Sequence, residues 1–314
     1  MEHIELEKRK MTTYSLASRP SKVNISGFAR NLNPNESVAS FIDKLPGFLA
    51  ANDLKNVINA IIVSRRRQRP ILLGMGAHVI KVGLTPLILQ LLEKKALNGI
   101  ALNGAGIIHD FELAYAGHTS EEVSAGITGG DFGMAQETGE LLNRAISLGD
   151  REGLGLGAAV GKMIWEKKLP HRELSLLGQC YRMQIPVTVH VAIGTDIIHM
   201  HAAADGAAIG RTSFKDFDKF CGLVAQLEDG VYINLGSAVI LPEVFLKAIS
   251  LARNLGHKVN NLTTVNMDFN RHYRSFENVV KRPILNSGQG YQLIGHHEIM
   301  FPLLVAGVLA QLEE

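Results

Sequence analysis

Glycines and histidines recur where the apolar runs of this 314-residue chain stop. Ile71-Leu-Leu is followed by Gly74-Met-Gly-Ala-His78, and Ile100-Ala-Leu by Asn103-Gly-Ala-Gly-Ile-Ile-His-Asp110. Ile185-Pro-Val-Thr-Val ends at His190, Tyr232-Ile-Asn-Leu at Gly236-Ser-Ala238, and Tyr291-Gln-Leu-Ile at Gly295-His-His297. An imidazole titrates near neutral pH and can serve as acid, base, charge partner or metal ligand. In an open parallel sheet the carboxyl ends of the strands share one edge, and ligands bind there. Titratable side chains repeated at such ends predict one shared site.

His78, His109, His199, His201, His296 and His297 fall in the segments that would meet at this edge. His199 and His201 are two apart, so an extended segment would put both on one face. Asp110 and Glu298 each adjoin a histidine and could orient an imidazole or complete a metal shell. One chemistry open to this set is a divalent metal such as zinc on His109, His201 and His297, serving a hydrolase or lyase. The tight HExxH spacing is absent. His3, His171 and His257 read as surface residues, while His118, His190 and His272 fit either a site or a core.

The glycine turns suggest a second chemistry. Gly74, Gly76, Ala77 and His78, then Gly104, Ala105 and Gly106, then Gly236, Ser237 and Ala238 place small residues where a strand ends and a helix follows. Backbone can approach a ligand there, and a helix N-terminus favours an anion such as a diphosphate. None is a full GxGxxG, because Val79 and Ala238 stand where glycines are needed, and none is a P-loop. Three such turns on different strands predict a shared dinucleotide cleft.

The elements that must position these residues alternate. Strands are expected at 70–73, 99–102, 187–191, 231–235, 262–266 and 292–294. Helices are expected at 79–95, 134–146, 155–167, 172–183, 214–227, 242–254 and 298–312. The strand at 99–102 should lead into a glycine-rich loop, and 117–133 has the composition of a mobile loop. The alternation predicts a Rossmann-like, doubly wound α/β fold with a mainly parallel sheet. Residues 37–63 form a helical extension broken near Pro46. A polar arm over 1–35 precedes a single α/β domain over 36–314.

Composition sets outer bounds. Apolar residues make up 46% and charged residues 20%, which fits a globular protein with a sizeable core. A net charge of +2 argues against a nucleic-acid partner. The basic cluster of Arg65, Arg66, Arg67 and Arg69 reads as a helix end favoured by the dipole. Cys180 and Cys221 have no CxxC spacing and read as buried thiols. No secretory signal or membrane span is visible, so the expectation is a soluble cytoplasmic protein with a small-molecule substrate.

Several of these segments resemble deoxyhypusine synthase. Gly194-Thr-Asp-Ile-Ile-His-Met-His201 is similar to that family's Gly-Asp-Met-Ile-Phe-Phe-His segment. Asn234-Leu-Gly-Ser-Ala-Val-Ile240 is similar to its Leu-Gly-Gly-Gly-Val-Val turn, and Phe301-Pro-Leu-Leu-Val-Ala306 to its last helix. The likeness runs in consistent order over roughly 70–313. It implies a Rossmann-like subunit of a homotetramer, with NAD sites near subunit interfaces, that oxidises an amine and transfers a group from it. It also implies His201 as the active-site histidine, Asp196 in the NAD region, and Gly236 in the turn before the catalytic lysine; His296 is a further candidate for holding the cofactor.

Leu241 stands where that lysine should be, and leucine offers no nucleophile for an imine. The family's Glu-Glu pair is replaced by Ile108-His109. The leading expectation is therefore an NAD-dependent enzyme acting on a small amine or alcohol without making hypusine. Its candidate catalytic residues are His201, His109 and Asp110. A non-catalytic NAD- or ligand-binding oligomer is the remaining alternative.

Overall fold

The computed structural model describes residues 3–312, so the first two residues of the expected arm and the last two of the chain lie outside the described residues. Strands β1 (Ile71–Met75), β2 (Gly99–Asn103), β3 (Val187–His190), β4 (Val231–Leu235), β5 (Thr263–Asp268) and β6 (Gln289–Ile294) form one sheet. Their order is β3-β2-β1-β4-β5-β6, and every pairing is parallel. This is the doubly wound arrangement expected, and the order reverses between β1 and β4. A crevice opens at such a reversal, outside the carboxyl ends of the two strands.

The strands read as apolar runs because both faces are covered. Ile71, Leu73 and Met75 point into one core cluster, and Leu72 points into the other. Tyr232 of β4 joins Leu72 and stacks on Phe245, with ring centroids 3.7 Å apart. Register is also held by buried amides. Asn234, Asn266 and Gln292 are cross-strand partners, and their side chains hydrogen-bond in a row at 2.6 and 3.2 Å. A one-residue slip would turn these amides into apolar packing and leave them unpaired.

The helices are α1 (Val38–Lys44), α2 (Leu49–Arg66), α3 (His78–Lys81), α4 (Thr85–Glu93), α5 (Gly104–Ala116), α6 (Val123–Gly129), α7 (Gln136–Arg151), α8 (Leu156–Glu166), α9 (Leu176–Met183), α10 (Gly206–Val224), α11 (Ile240–Asn254), α12 (Tyr273–Ser275) and α13 (His297–Leu312). The helix expected at 79–95 is two helices. Gly83, at φ +78°, ends the first, and Pro86 sits in the first turn of the second, where its missing N–H costs nothing. The loop expected after β2 is instead the start of α5. The segment 117–133 contains α6 and closes on Gly130 in the left-handed region. Residues 3–36 are largely exposed and hold short 3-10 turns. Among the described residues, no helix is long and apolar enough to cross a membrane.

Candidate functional site

Two groups of residues occupy the carboxyl edge of the sheet, and the second of them lines a pocket. The first lies over β1, β4, β5 and β6. The glycine turns after β1 and β4 are locked together there: Gly76 N–H donates to Leu235 O at 2.9 Å, and a Cβ at Gly76 would strike the carbonyl of Gly236. Gly236 has φ +66°, and its N–H donates to Met267 O at 2.9 Å. A side chain at Gly74 would meet the Tyr232 hydroxyl. The absent side chains thus serve chain-on-chain packing, a use that sequence alone does not separate from ligand approach. Ser237 accepts from Leu241 N–H at 3.1 Å and ties down the first turn of α11, and Ala77 is buried at the start of α3.

Above these turns the chain gathers rings. His297, the first residue of α13, is 2% exposed, and neither ring nitrogen has a hydrogen-bond partner. Phe269 meets it edge-on at 5.7 Å, and His78 leans on it at 5.8 Å. His296 stacks parallel to Phe269 at 6.3 Å. Burial holds the His297 pKa below its ordinary value, with Asp268 opposing and His78 reinforcing the shift. The ring is therefore neutral at pH 7. Phe269 has no place in the sequence reading, because β5 runs two residues past its expected end at Asn266 and carries Phe269 to the edge.

The second group lies beside α5, under the segment 117–133. It is a pocket of about 190 Å³. Its apolar wall includes Ile108, Val123, Phe132 and Ile197, and its polar groups include Lys81, His109, Glu112, Glu121 and Asp196. His109 Nδ1 lies 2.7 Å from Thr119 Oγ1, which donates its own proton to Glu112. Thr119 therefore accepts from Nδ1–H, and the lone pair of the neutral ring is on Nε2. Glu112 also accepts from Thr138 at 3.1 Å. Burial, assisted by Lys81 and opposed by Glu112, holds the His109 pKa below its ordinary value.

Asp196 is 7% exposed and packs against Gly104, the first residue of α5, where a Cβ would collide with its carboxylate. A carboxylate is favourable at a helix N-terminus. It also occupies the region where Gly104, Ala105 and Gly106 were expected to face a diphosphate, so that turn does not form a dinucleotide cradle. Ala105 instead lines the pocket, and Gly106 packs on Leu102.

Other expected site residues serve the fold. Asp110 is 1% exposed and accepts from Leu176 N–H at 2.7 Å, Leu177 N–H at 3.0 Å and the Ser175 hydroxyl at 2.6 Å. It caps α9 behind α5, facing away from His109's pocket, and burial pushes its carboxyl up to about 6. His201 packs on Gly139 of α7 and donates from Nε2 to Gly133 O at 2.8 Å, and it does not line the pocket. His199 and His201 do not share an extended face. The segment Ile197–Met200 is a 3-10 turn, and His199 Nδ1 accepts from Gly194 N–H at 3.1 Å. His190 is a core residue bonded to Thr188 at 3.0 Å, its pKa pushed down to about 4 by burial. Leu241 is fully buried in the second core cluster.

The metal set of His109, His201 and His297 is also overturned. Among the described residues, no group of three or more His, Cys, Asp and Glu side chains could hold a metal ion. Each of the three rings is fixed on a different element by the contacts above.

No protein-family model and no curated protein matches the sequence. Solved structures do match in shape. The arginine dihydrolase ArgZ of the cyanobacterial ornithine-ammonia cycle has a TM-score of 0.51 at 13% identity, over 82% of this chain and 31% of that one. AgrE in complex with ornithine and NAD+ has a TM-score of 0.52 at 13% identity, over 82% of this chain and 33% of that one. A protein from Entamoeba histolytica assigned as a deoxyhypusine synthase has a TM-score of 0.51 at 13% identity, over 90% of this chain and 96% of that one. This chain spans about a third of the length of the ArgZ and AgrE chains. At such identities, what these likenesses establish is a shared Rossmann-like, doubly wound fold.

Proposed function

We propose that this chain is an NAD-dependent enzyme, similar to deoxyhypusine synthase in scaffold, that oxidises a small amine or alcohol or transfers a group from it. The observation that carries the reading is the adjacency of the ring cluster and the pocket across α3. His78 at its start belongs to the ring-lined crevice, and Lys81 at its end belongs to the charged pocket. A cofactor over one and a substrate in the other would meet on the same sheet edge. AgrE was solved with NAD+, which supports the cofactor class.

The crevice has a chemistry that suits a dinucleotide. Exposed ring faces of Phe269 and His296 offer stacking surface. NAD, when bound, supplies a hydride acceptor. The chain's own contribution to the chemistry is then a base. His109 is neutral at pH 7 and carries its free lone pair on Nε2. The chain Nδ1–H to Thr119 to Glu112 stabilises the imidazolium formed when Nε2 takes a proton. The base role implied for His201 passes to His109, because His201 is bound to the Gly133 carbonyl.

Hypusine formation is not part of the proposal. Leu241 lies in the core, and Lys247, six residues on, is paired with Glu243 along α11. Self-association as a homotetramer is carried as an expectation from the resemblance, and sedimentation tests it. The direct test of function is calorimetric titration of purified protein with NAD, together with analysis of any dinucleotide released on denaturation. Binding in the micromolar to millimolar range is expected. No heat change and no released dinucleotide would sink the reading.

A further inference from the structure

Two segments leave apolar side chains uncovered, and they carry opposite charge. In the arm over 3–32, Ile4, Leu6, Met11, Tyr14, Leu16 and Ile25 are each 70–84% exposed. A chain segment that stays unstructured is poor in such residues. This one is folded locally into turns: Ser15 accepts from Ala17 N–H at 3.2 Å, and Asn24 from Ser26 N–H at 3.0 Å. The arm is fixed to the body at its far end, where Gly27 O accepts from Gly47 N–H at 2.9 Å and Gly27 packs on the Phe48 ring. From Lys8 to Asn35 the chain contains Lys8, Arg9, Lys10, Arg19, Lys22 and Arg30, and neither Asp nor Glu. The other segment is α6 with its flanks. α6 has no buried residue, and Val123 and Ile127, one helical turn apart, are 45% and 63% exposed. From Ala96 to Asn143 the chain has neither Lys nor Arg, and Glu121, Glu122, Asp131 and Glu137 are exposed.

From this complementarity we infer that the arm of one copy of the chain docks on the outer face of α6 in a second copy. The arm's apolar side chains then cover Val123, Ile127 and the exposed Met134, while its cations meet the acids of that face. A standard interface takes roughly 20–30 residues from each partner, and the arm supplies that many. Exchange of two arms is reciprocal, so the contact occurs twice and closes a twofold dimer. Among the described residues, no hydrogen bond or ion pair joins 3–32 to 117–140 of the same chain. An anionic membrane would suit the arm but would leave the acidic face of α6 uncovered, whereas a second copy accounts for both segments. The contact also reaches the pocket beside α5. Ser120, Glu121, Val123 and Phe132 line it, so the partner's arm braces one of its walls. This inference stands apart from the NAD reading.

The test is sedimentation velocity of the full chain with exposed charges reversed on each side. The unchanged protein is expected to dimerise at micromolar concentration. Reversing the arm (Arg9→Glu, Arg19→Glu and Lys22→Glu together) or the face (Asp131→Lys with Glu137→Lys) should weaken the dimer about tenfold or more, because like charges then meet. All five residues are exposed. Mixed in equal amounts, the two variants should form a heterodimer as tight as the original dimer. Each reversed arm then finds a reversed face, and each original arm an original face. Such rescue requires contact between chains and shows that both variants are folded. A monomer in the unchanged protein, a dimer that neither set of reversals weakens, or no rescue on mixing overturns the inference. So does flotation of a monomeric chain with phosphatidylserine vesicles that the arm reversals abolish, which would assign the arm to a lipid surface.

Discussion

At the crevice over β4, β5 and β6 the chain presents rings, and at the pocket beside α5 it presents charges. The crevice is assembled from the ends of several strands, and its glycines hold backbone against backbone. The pocket is assembled from helices and turns, and Gly104 admits a carboxylate of the chain itself. Both regions carried glycine turns in the sequence, so the same local signal has two meanings. At one the missing Cβ lets two turns interlock, and at the other it lets a charge reach a helix start. What decides between them is the atom that lies opposite, and that atom comes from a distant part of the chain.

The comparison breaks most severely if α5 is released from behind. Asp110→Ala should cost about 3 kcal/mol or more, because two backbone N–H groups and a hydroxyl lose a buried acceptor. Chemical denaturation measures this, and an unchanged midpoint would mean that α5 is not anchored there. Next in size is the base. His109→Ala should lower turnover by ~10²-fold, the scale for losing a positioned base, with NAD affinity unchanged. His201→Ala should have a smaller effect on turnover than His109→Ala, since it removes one bond to the Gly133 carbonyl. The reverse order would return the base to His201.

A smaller change should appear at the crevice. Phe269→Ala removes a ring that His296 stacks on and should weaken NAD by about tenfold or less, in line with ~0.5–1.5 kcal/mol for an aromatic pair. Binding of small molecules in the pocket should not change, and a loss there would merge the two regions into one site. The smallest effect concerns pH. His109 works as a base only when neutral, so activity should fall as pH drops through its pKa, below the ordinary histidine value. Lys81 contributes to that lowering, so Lys81→Met should move the midpoint upward. An unmoved midpoint in a histidine NMR titration would show that Lys81 and His109 do not share the pocket.

The sheet was legible in the sequence because buried parallel strands are short apolar runs bounded by turns, and β1, β3 and β4 carry that pattern plainly. The start of α5 was not, since Gly104-Ala-Gly106 has poor helix propensity and is helical through tertiary packing. The same miss hid Glu112, which lies one helical turn from His109 only once α5 exists. His78, His296 and His297 were placed at one edge by their positions after strands, and the structure gathers their rings there. Asp110 was read for chemistry from the histidine beside it, and His201 from the family resemblance. Their partners, Ser175 to Leu177 and Gly133, are more than 60 residues away, beyond any local pattern.

Except for Lys81, the residues lining the pocket belong to the two connections that flank β3. The crevice draws on the ends of β1, β4, β5 and β6. Substitutions in these two connections, outside β3 itself, can thus reshape the pocket without touching the interlocked turns after β1 and β4.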